Sequence, residues 1–186
     1  MPKKQKAAPP APSTLAPFDD DDGSLVRVII ETPKGCRNKY KYDPEMGAFK
    51  LGKVLPEGMV FPYDFGFIPG TKAEDGDPID VLLLMDQPAF PGCVIESRLI
   101  GVLEAEQSKD GATERNDRLI AVAEENHSYS ELRDIGAMNK TLLDEIGEFF
   151  ANYHKARGSK FKVLDTRGPK QAYQLLKKSA GNKKAA

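Results

Sequence analysis

Helix breakers recur so densely between residues 56 and 92, among them Pro56, Gly58, Pro62, Gly66, Pro69, Gly70, Gly76, Pro78, Pro91 and Gly92, that no long helix fits there. Before about residue 130 the chain must therefore build its core from short extended runs. Such runs are legible at 25–31, 39–42, 48–51, 79–85, 94–103 and 118–123, each rich in β-branched or aromatic residues and bounded by turn formers. Many short strands in one small chain predict a closed or nearly closed β-barrel. The apolar period then changes. Leu142, Ile146, Phe149 or Phe150, and Tyr153 fall at helical spacing, predicting a helix over 139–156. Pro169 suits a first helical position, and Ala172, Leu175 and Leu176 make the apolar face of a second, shorter helix.

The expected class is thus mainly β (α+β), an OB-like closed barrel with two C-terminal helices packed outside. With 186 residues, one core and one site are expected. Residues 1–22 are rich in Lys, Ala and Pro and end in an acidic run, a composition that buries too little apolar surface to offset ordering; they read as a disordered tail ahead of a single domain, 23–186. No internal repeat is present. No stretch approaches the apolar length of a membrane span, and no signal-type segment opens the chain, so a cytoplasmic address without a membrane partner is expected. A net charge of −1 and the absence of Trp argue against nucleic acid as the ligand. Cys36 and Cys93 match no zinc spacing and are expected as free thiols.

The segment Glu74-Asp75-Gly76-Asp77-Pro78-Ile79-Asp80 places three aspartates in six positions, directly before an apolar strand. Anions this close repel one another, which is tolerated in a solvated turn or where the oxygens bind cations. Asp-Gly and Asp-Pro are also ordinary turn dipeptides. An EF-hand is excluded, because the sixth position counted from Asp75 is Asp80 rather than Gly. With no His or Cys in the group, the expected metal is hard: Mg²⁺, with Mn²⁺ as a substitute.

Three ordered stretches carry a family resemblance: Val28-Ile29-Ile30-Glu31-Thr32-Pro33-Lys34-Gly35 with Asn38-Lys39-Tyr40, then Phe61-Pro62-Tyr63-Asp64-Phe65-Gly66-Phe67-Ile68-Pro69, then Asp75-Gly76-Asp77-Pro78-Ile79-Asp80-Val81-Leu82. Together they resemble the soluble family I inorganic pyrophosphatases over about residues 25–165. The resemblance implies hydrolysis of inorganic diphosphate to two phosphates, Mg²⁺ as cofactor, and a homo-oligomer, commonly a hexamer. It implies Asp75 and Asp80 as metal ligands and Asp77 as acceptor of the proton of the attacking water between two Mg²⁺ ions. Lys39, Lys53, Arg118 and Lys160 fall at basic, substrate-holding positions, Tyr153 at a phosphate-binding tyrosine, and Glu31 at an outer-shell metal carboxylate. Outside that motif Glu31 would read as a surface residue, the lysines as solvated side chains, and Tyr153 as core.

Departures from the family cluster in the site. Lys41 stands where a Glu is usual, Lys53 replaces an Arg, Phe61 and Phe65 replace tyrosines that reach phosphate or carboxylate, Asn116 aligns with a metal-binding Asp, Arg118 with a Lys, and His154 with a Lys. An insertion over 109–115 leaves Gln107 or Asp110 at a second metal-binding aspartate. Asp117 could supply the carboxylate that Asn116 lacks, though a one-residue shift along a strand turns a side chain to the opposite face. Lys41 and Lys53 beside Lys39 would stand in for a weakly held metal. Two alternatives remain open at this point: a weakened homologue that binds diphosphate and metal in a regulatory or scaffolding role, and an OB-type barrel for single-stranded nucleic acid.

Overall fold

The structure, a computed structural model, describes residues 11–19 and 23–181. Nine strands and two helices follow in order: β1 Val26–Thr32, β2 Asn38–Asp43, β3 Ala48–Val54, β4 Asp64–Phe67, β5 Asp80–Leu84, β6 Val94–Lys109, β7 Ala112–Arg115, β8 Arg118–Ala123, α1 Lys140–Lys155, β9 Lys160–Arg167 and α2 Pro169–Gly181. Strands β1, β4, β5, β8 and β6 pair in that order, and β6 pairs back onto β1, so the sheet is ring-like. All of these pairs are antiparallel except β5 with β8. Strand β9 continues the sheet along β6, and β2 and β3 form a separate hairpin. The mainly β architecture with two late helices is the one expected from the breakers and periodicity.

Register assigns the two faces of the ring. Ile30, Gly66, Val81, Leu119 and Val102 are successive cross-strand partners and share one face. Their apolar members form one core cluster, closed by Ala172 and Leu176 of α2. The alternate positions Phe65, Leu82 and Ile120 face the other way and pack with Ile146, Phe150 and Tyr153 of α1. Each of these large side chains, once fully buried, contributes roughly 1.5–3 kcal/mol. Gly66 is required by closeness, since a Cβ there would lie 2.0 Å from the Ile29 carbonyl oxygen.

Helix α1 begins where Asn139 Oδ1 accepts from the Thr141 amide at 2.8 Å, satisfying one otherwise unpaired N–H. Its buried stripe runs through Leu143, Ile146, Phe150 and Tyr153, whereas Leu142 is 41 % exposed and points away from the core. The expected stripe was thus displaced by one residue at its first position. Strands β4, β7 and β9 did not stand out in the sequence. β4 lies inside a breaker-rich motif, and the supposed insertion is a hairpin in which Lys109 pairs with Ala112 around Asp110 and Gly111, both at positive φ.

The expected tail falls outside the described residues over 1–10 and 20–22. Residues 11–19 are described, and they run beside β1: Phe18 bridges to Val26, the Arg27 amide donates to the Pro17 carbonyl at 2.9 Å, and the Arg27 guanidinium pairs with Asp19. Cys36 and Cys93 are free thiols. Among the described residues no helix is long and apolar enough to cross a membrane.

Candidate active site

A closed turn gathers the aspartates. The Thr71 hydroxyl donates to the Ile68 carbonyl at 2.7 Å and accepts from the Ile79 amide at 3.0 Å, pinning both ends of the loop. Inside it, the Ala73 amide donates to the Asp77 carbonyl at 2.8 Å, and Gly76 takes φ +86°, a conformation that costs only glycine little. The Asp77 amide donates to Asp75 Oδ1 at 3.1 Å. Burial raises the pKa of Asp75 above the ordinary carboxylate range, and the neighbouring charges of Asp80 and Asp77 add to the rise. Asp75 therefore senses the charges of the other two carboxylates.

Topology brings the partner wall into place. Because β5 and β8 are parallel with Val81 opposite Leu119, the residues one step earlier, Asp80 and Arg118, enter side by side on the α1 face. Arg118 Nη1 lies 2.8 Å from Asp80 Oδ2 and also donates to Asn116 Oδ1. The guanidinium carbon sits 5.3 Å from the Phe150 ring and 5.6 Å from that of Phe161, a cation over two aromatic faces. The Asn116 amide donates to Gln107 Oε1 at 2.7 Å. The third wall is the hairpin, where Lys39 is the register partner of Lys53, and Lys41 Nζ reaches Asp77 Oδ2 at 2.9 Å. Lys53 lies below its ordinary pKa, through burial and then through Arg157 and Lys39.

One cavity of about 390 Å³ is lined by Lys39, Lys53, Asp75, Asp77, Asp80, Asn116, Arg118 and Tyr153, eight of the positions expected from sequence. Glu31 lies behind this wall, 7 % exposed, with Oε1 accepting from the Tyr42 amide at 2.8 Å. Burial raises its pKa to about 7; Asp80 adds to the rise, and the Tyr42 hydrogen bond, Lys39 and Lys41 oppose it.

Besides Glu31, four expected positions do not line the cavity. Asp117 accepts from the Ala105 amide at 2.9 Å and pairs with Arg115 at 2.9 Å, and it lines a neighbouring pocket that Asp75, Asp80, Asn116 and Arg118 also border. Asp110 occupies the β6–β7 turn. Lys160 is exposed at the start of β9, opposite Ser108. Phe65 is 1 % exposed and has no polar group to offer; its ring instead lies 4.5 Å from Lys39 Nζ and carries that ammonium.

The cavity is also lined by Lys41, Gln107 and His154, which the sequence singled out, and by Gly52, Glu114 and Arg157, which it did not. Arg157 follows Tyr153 by four residues and donates to its hydroxyl at 2.7 Å, so helical spacing from Tyr153 could have found it. Glu114 precedes Asn116 and Arg118 at period two and pairs with Gln107 across the hairpin. His154 is 2 % exposed, with Nδ1 against Ser159 Oγ at 3.1 Å and Nε2 without a partner; Arg118 Nε is likewise buried and unpartnered. Burial lowers the His154 pKa to about 3, helped by Arg118 and Arg157, so the ring is neutral at pH 7.

The donor chemistry suits a hard divalent cation on one side only. Asp75, Asp77 and Asp80 offer oxygens alone, and the side chain of Asp77 is 61 % exposed and free to turn. Across the cavity stand an amide and a guanidinium, with a single carboxylate, Glu114, on β7. Among the described residues, no three His, Cys, Asp or Glu side chains already converge as a ligand set.

This pairing of an acidic loop with a basic cavity wall on a ring-like sheet defines a phosphate-handling site built around oxygen donors. The family model described as inorganic pyrophosphatase matches residues 28–184. The inorganic pyrophosphatase of Synechocystis is 38 % identical over 160 residues, covering 86 % of this chain and 92 % of that protein. The inorganic pyrophosphatase of Thermus thermophilus is 40 % identical over 152 residues, covering 82 % and 85 %. The crystal structure of inorganic pyrophosphatase from Thermus thermophilus superposes with a TM-score of 0.86 at 36 % identity, covering 94 % of this chain and 99 % of that one. The chain belongs to the inorganic pyrophosphatase family.

Proposed function

We propose that the chain hydrolyses inorganic diphosphate to two phosphates, with Mg²⁺ as the preferred cation and Mn²⁺ as a substitute. The observation that carries the reading is the opposition, across one cavity, of Asp75, Asp77 and Asp80 to Lys39, Lys53, Arg118 and Arg157. A diphosphate needs many cationic donors to be held, and a carboxylate cluster to take a proton and accept a metal. When bound, a divalent cation supplies positive charge beside the phosphoryl oxygens and makes a neighbouring water more acidic.

Within the chain, Asp77 accepts the proton of the attacking water. The water oxygen bonds to one phosphorus as the bridging P–O bond breaks, and the departing phosphate keeps the bond's electrons. Lys39, Lys53 and Arg118 neutralise that charge, while the Tyr153 hydroxyl is held by Arg157 at the cavity rim. The buried Arg118 Nε, which has no partner, is suited to a phosphate oxygen, because an unpaired buried donor gains most from an acceptor. Asp75 and Asp80 are the proposed cation ligands, with Glu31 behind them. Asn116 contributes to holding Arg118, and the geometry gives no support to Asp117, Asp110, Lys160 or Phe65 as contacts to metal or substrate. A homo-oligomer, a hexamer by family likeness, a cytoplasmic address and a single domain over 23–186 are part of the same reading.

Phosphate release from diphosphate by the purified chain in Mg²⁺ tests it. Release that stops on adding EDTA and returns with Mg²⁺ is expected; release unaffected by EDTA would refute the metal-dependent part, and no release at all would refute the reading.

A further inference from the structure

The two sides of the cavity differ in what they offer a cation. The side chains of Asp77 and Asp80 are 61 % and 25 % exposed and keep acceptor capacity beyond their single ion pairs. The opposite wall is already occupied by a charge belonging to the chain. Arg118 is 5 % exposed and its Nη1 is shared between Asp80 Oδ2, Asn116 Oδ1 and the Asp117 carbonyl, the last at 3.1 Å. Two aromatic rings back its guanidinium. Asn116, 8 % exposed, spends its oxygen on Arg118 and its amide on Gln107. The adjacent carboxylate, Asp117, has one oxygen on the Ala105 amide and both within reach of Arg115. Asn116, Asp117 and Arg118 leave no free carboxylate there for a hard cation, and Glu114 is the one carboxylate left on that wall.

We infer that the Arg118 guanidinium takes the place of a second divalent cation, so that without diphosphate the cavity binds one divalent cation per chain, on the Asp75, Asp77 and Asp80 side. The inference rests on the diphosphatase reading and narrows it. Charge argues the same way: Lys39, Lys41, Lys53, Arg118 and Arg157 face Asp75, Asp77, Asp80 and Glu114 in the cavity, so one divalent cation already leaves the lining strongly positive. A further cation enters against that repulsion until a diphosphate brings its own negative charge. Arg118 then has a second task, since its buried, unpartnered Nε is a donor aimed at no protein group and ready for an anion.

Counting Mn²⁺ on the full chain, by calorimetric titration and by the electron paramagnetic resonance signal of the free ion, tests this without reference to turnover. One Mn²⁺ per chain is expected in the absence of phosphate, and two in Asn116→Asp, whose added carboxylate gives Arg118 a charged partner and leaves an oxygen for metal. Two or more Mn²⁺ on the unaltered chain, or none, overturns the inference, as does an unchanged count in an Asn116→Asp protein whose circular dichroism matches the parent. Should that variant not fold, the count on the unaltered chain decides alone. Phosphate release from the same preparation separates the two claims: hydrolysis with two or more bound ions sinks only the count, and one bound ion without hydrolysis sinks only the reaction.

Discussion

Lys41 Nζ sits 2.9 Å from Asp77 Oδ2, so the carboxylate proposed to take the proton from water is ion-paired within the chain. The pair holds Lys41 above its ordinary pKa, chiefly through the hydrogen bond to Asp77. Both side chains are more than half exposed, at 52 % and 61 %, which limits the pair to about 1 kcal/mol or less. Cations therefore displace it at modest expense. Replacing Lys41 by Ala is expected to lower the Mg²⁺ concentration for half-maximal phosphate release by roughly threefold, and Lys41→Glu should lower it further. A titration in which either variant needs more Mg²⁺ than the parent would contradict the competition.

Arg118 contributes to stability as well as to the site. Arg118→Met keeps the length and the aromatic contacts but strands Asp80 without its partner. Loss of one member of a fully buried pair costs about 3–5 kcal/mol, and the 25 % exposure of the Asp80 side chain reduces this to about 2 kcal/mol. A fall in Tm of roughly 4–8 °C follows for a chain of this size, with a higher KM for diphosphate. Calorimetry at pH 7 in EDTA measures the first and steady-state kinetics the second.

Glu31 sets a pH-dependent term of definite sign. Its pKa rises from 4.5 unfolded to about 7 folded, so the folded state prefers the protonated form. The favourable contribution is complete below pH 4.5 and is lost as pH rises through 7, an effect of roughly 3 kcal/mol at most. Glu31→Gln keeps an oxygen for the Tyr42 amide and cannot ionise. In EDTA, Glu31→Gln should match the parent Tm near pH 4.5 and exceed it by several degrees at pH 8. Equal Tm values at both pH values would show that Glu31 is not desolvated as described.

A methyl group at Gly66 tests the ring closure. Gly66→Ala would push a Cβ to 2.0 Å from the Ile29 carbonyl oxygen, a contact that requires β1 and β4 to part. Thermal unfolding should show a loss of about 1–3 kcal/mol, the usual magnitude of overpacking, or more. A neutral result would mean the two strands are less closely held.

Much of this was legible because it is written locally. The breakers dictated short strands, and the apolar stripe gave α1 within a residue at each end. Asp75 and Asp77 lie in one loop and Asp80 opens the strand that follows, so six positions of sequence sufficed to see them. The rest depends on strand pairing. That Asp80 meets Arg118 follows only from the parallel register of β5 and β8. That Asp117 turns away follows from Asn116 and Arg118 holding the other face. Lys160 and Asp110 were placed by likeness alone, and β9 and the β6–β7 hairpin carry them off the cavity. The hairpin did leave a signal, Asp110-Gly111 between alternating residues, which an alignment gap obscured.

The most direct measurement is phosphate release from diphosphate in Mg²⁺ by the unaltered chain and by Asp77→Asn side by side, with diphosphate affinity taken from calorimetry in Ca²⁺. Loss of a positioned general base should lower kcat by about 10²–10⁴-fold, with diphosphate affinity changed little. Release by the unaltered chain that is no faster than that of Asp77→Asn, with diphosphate still bound, would make the chain a binder rather than an enzyme and contradict the account.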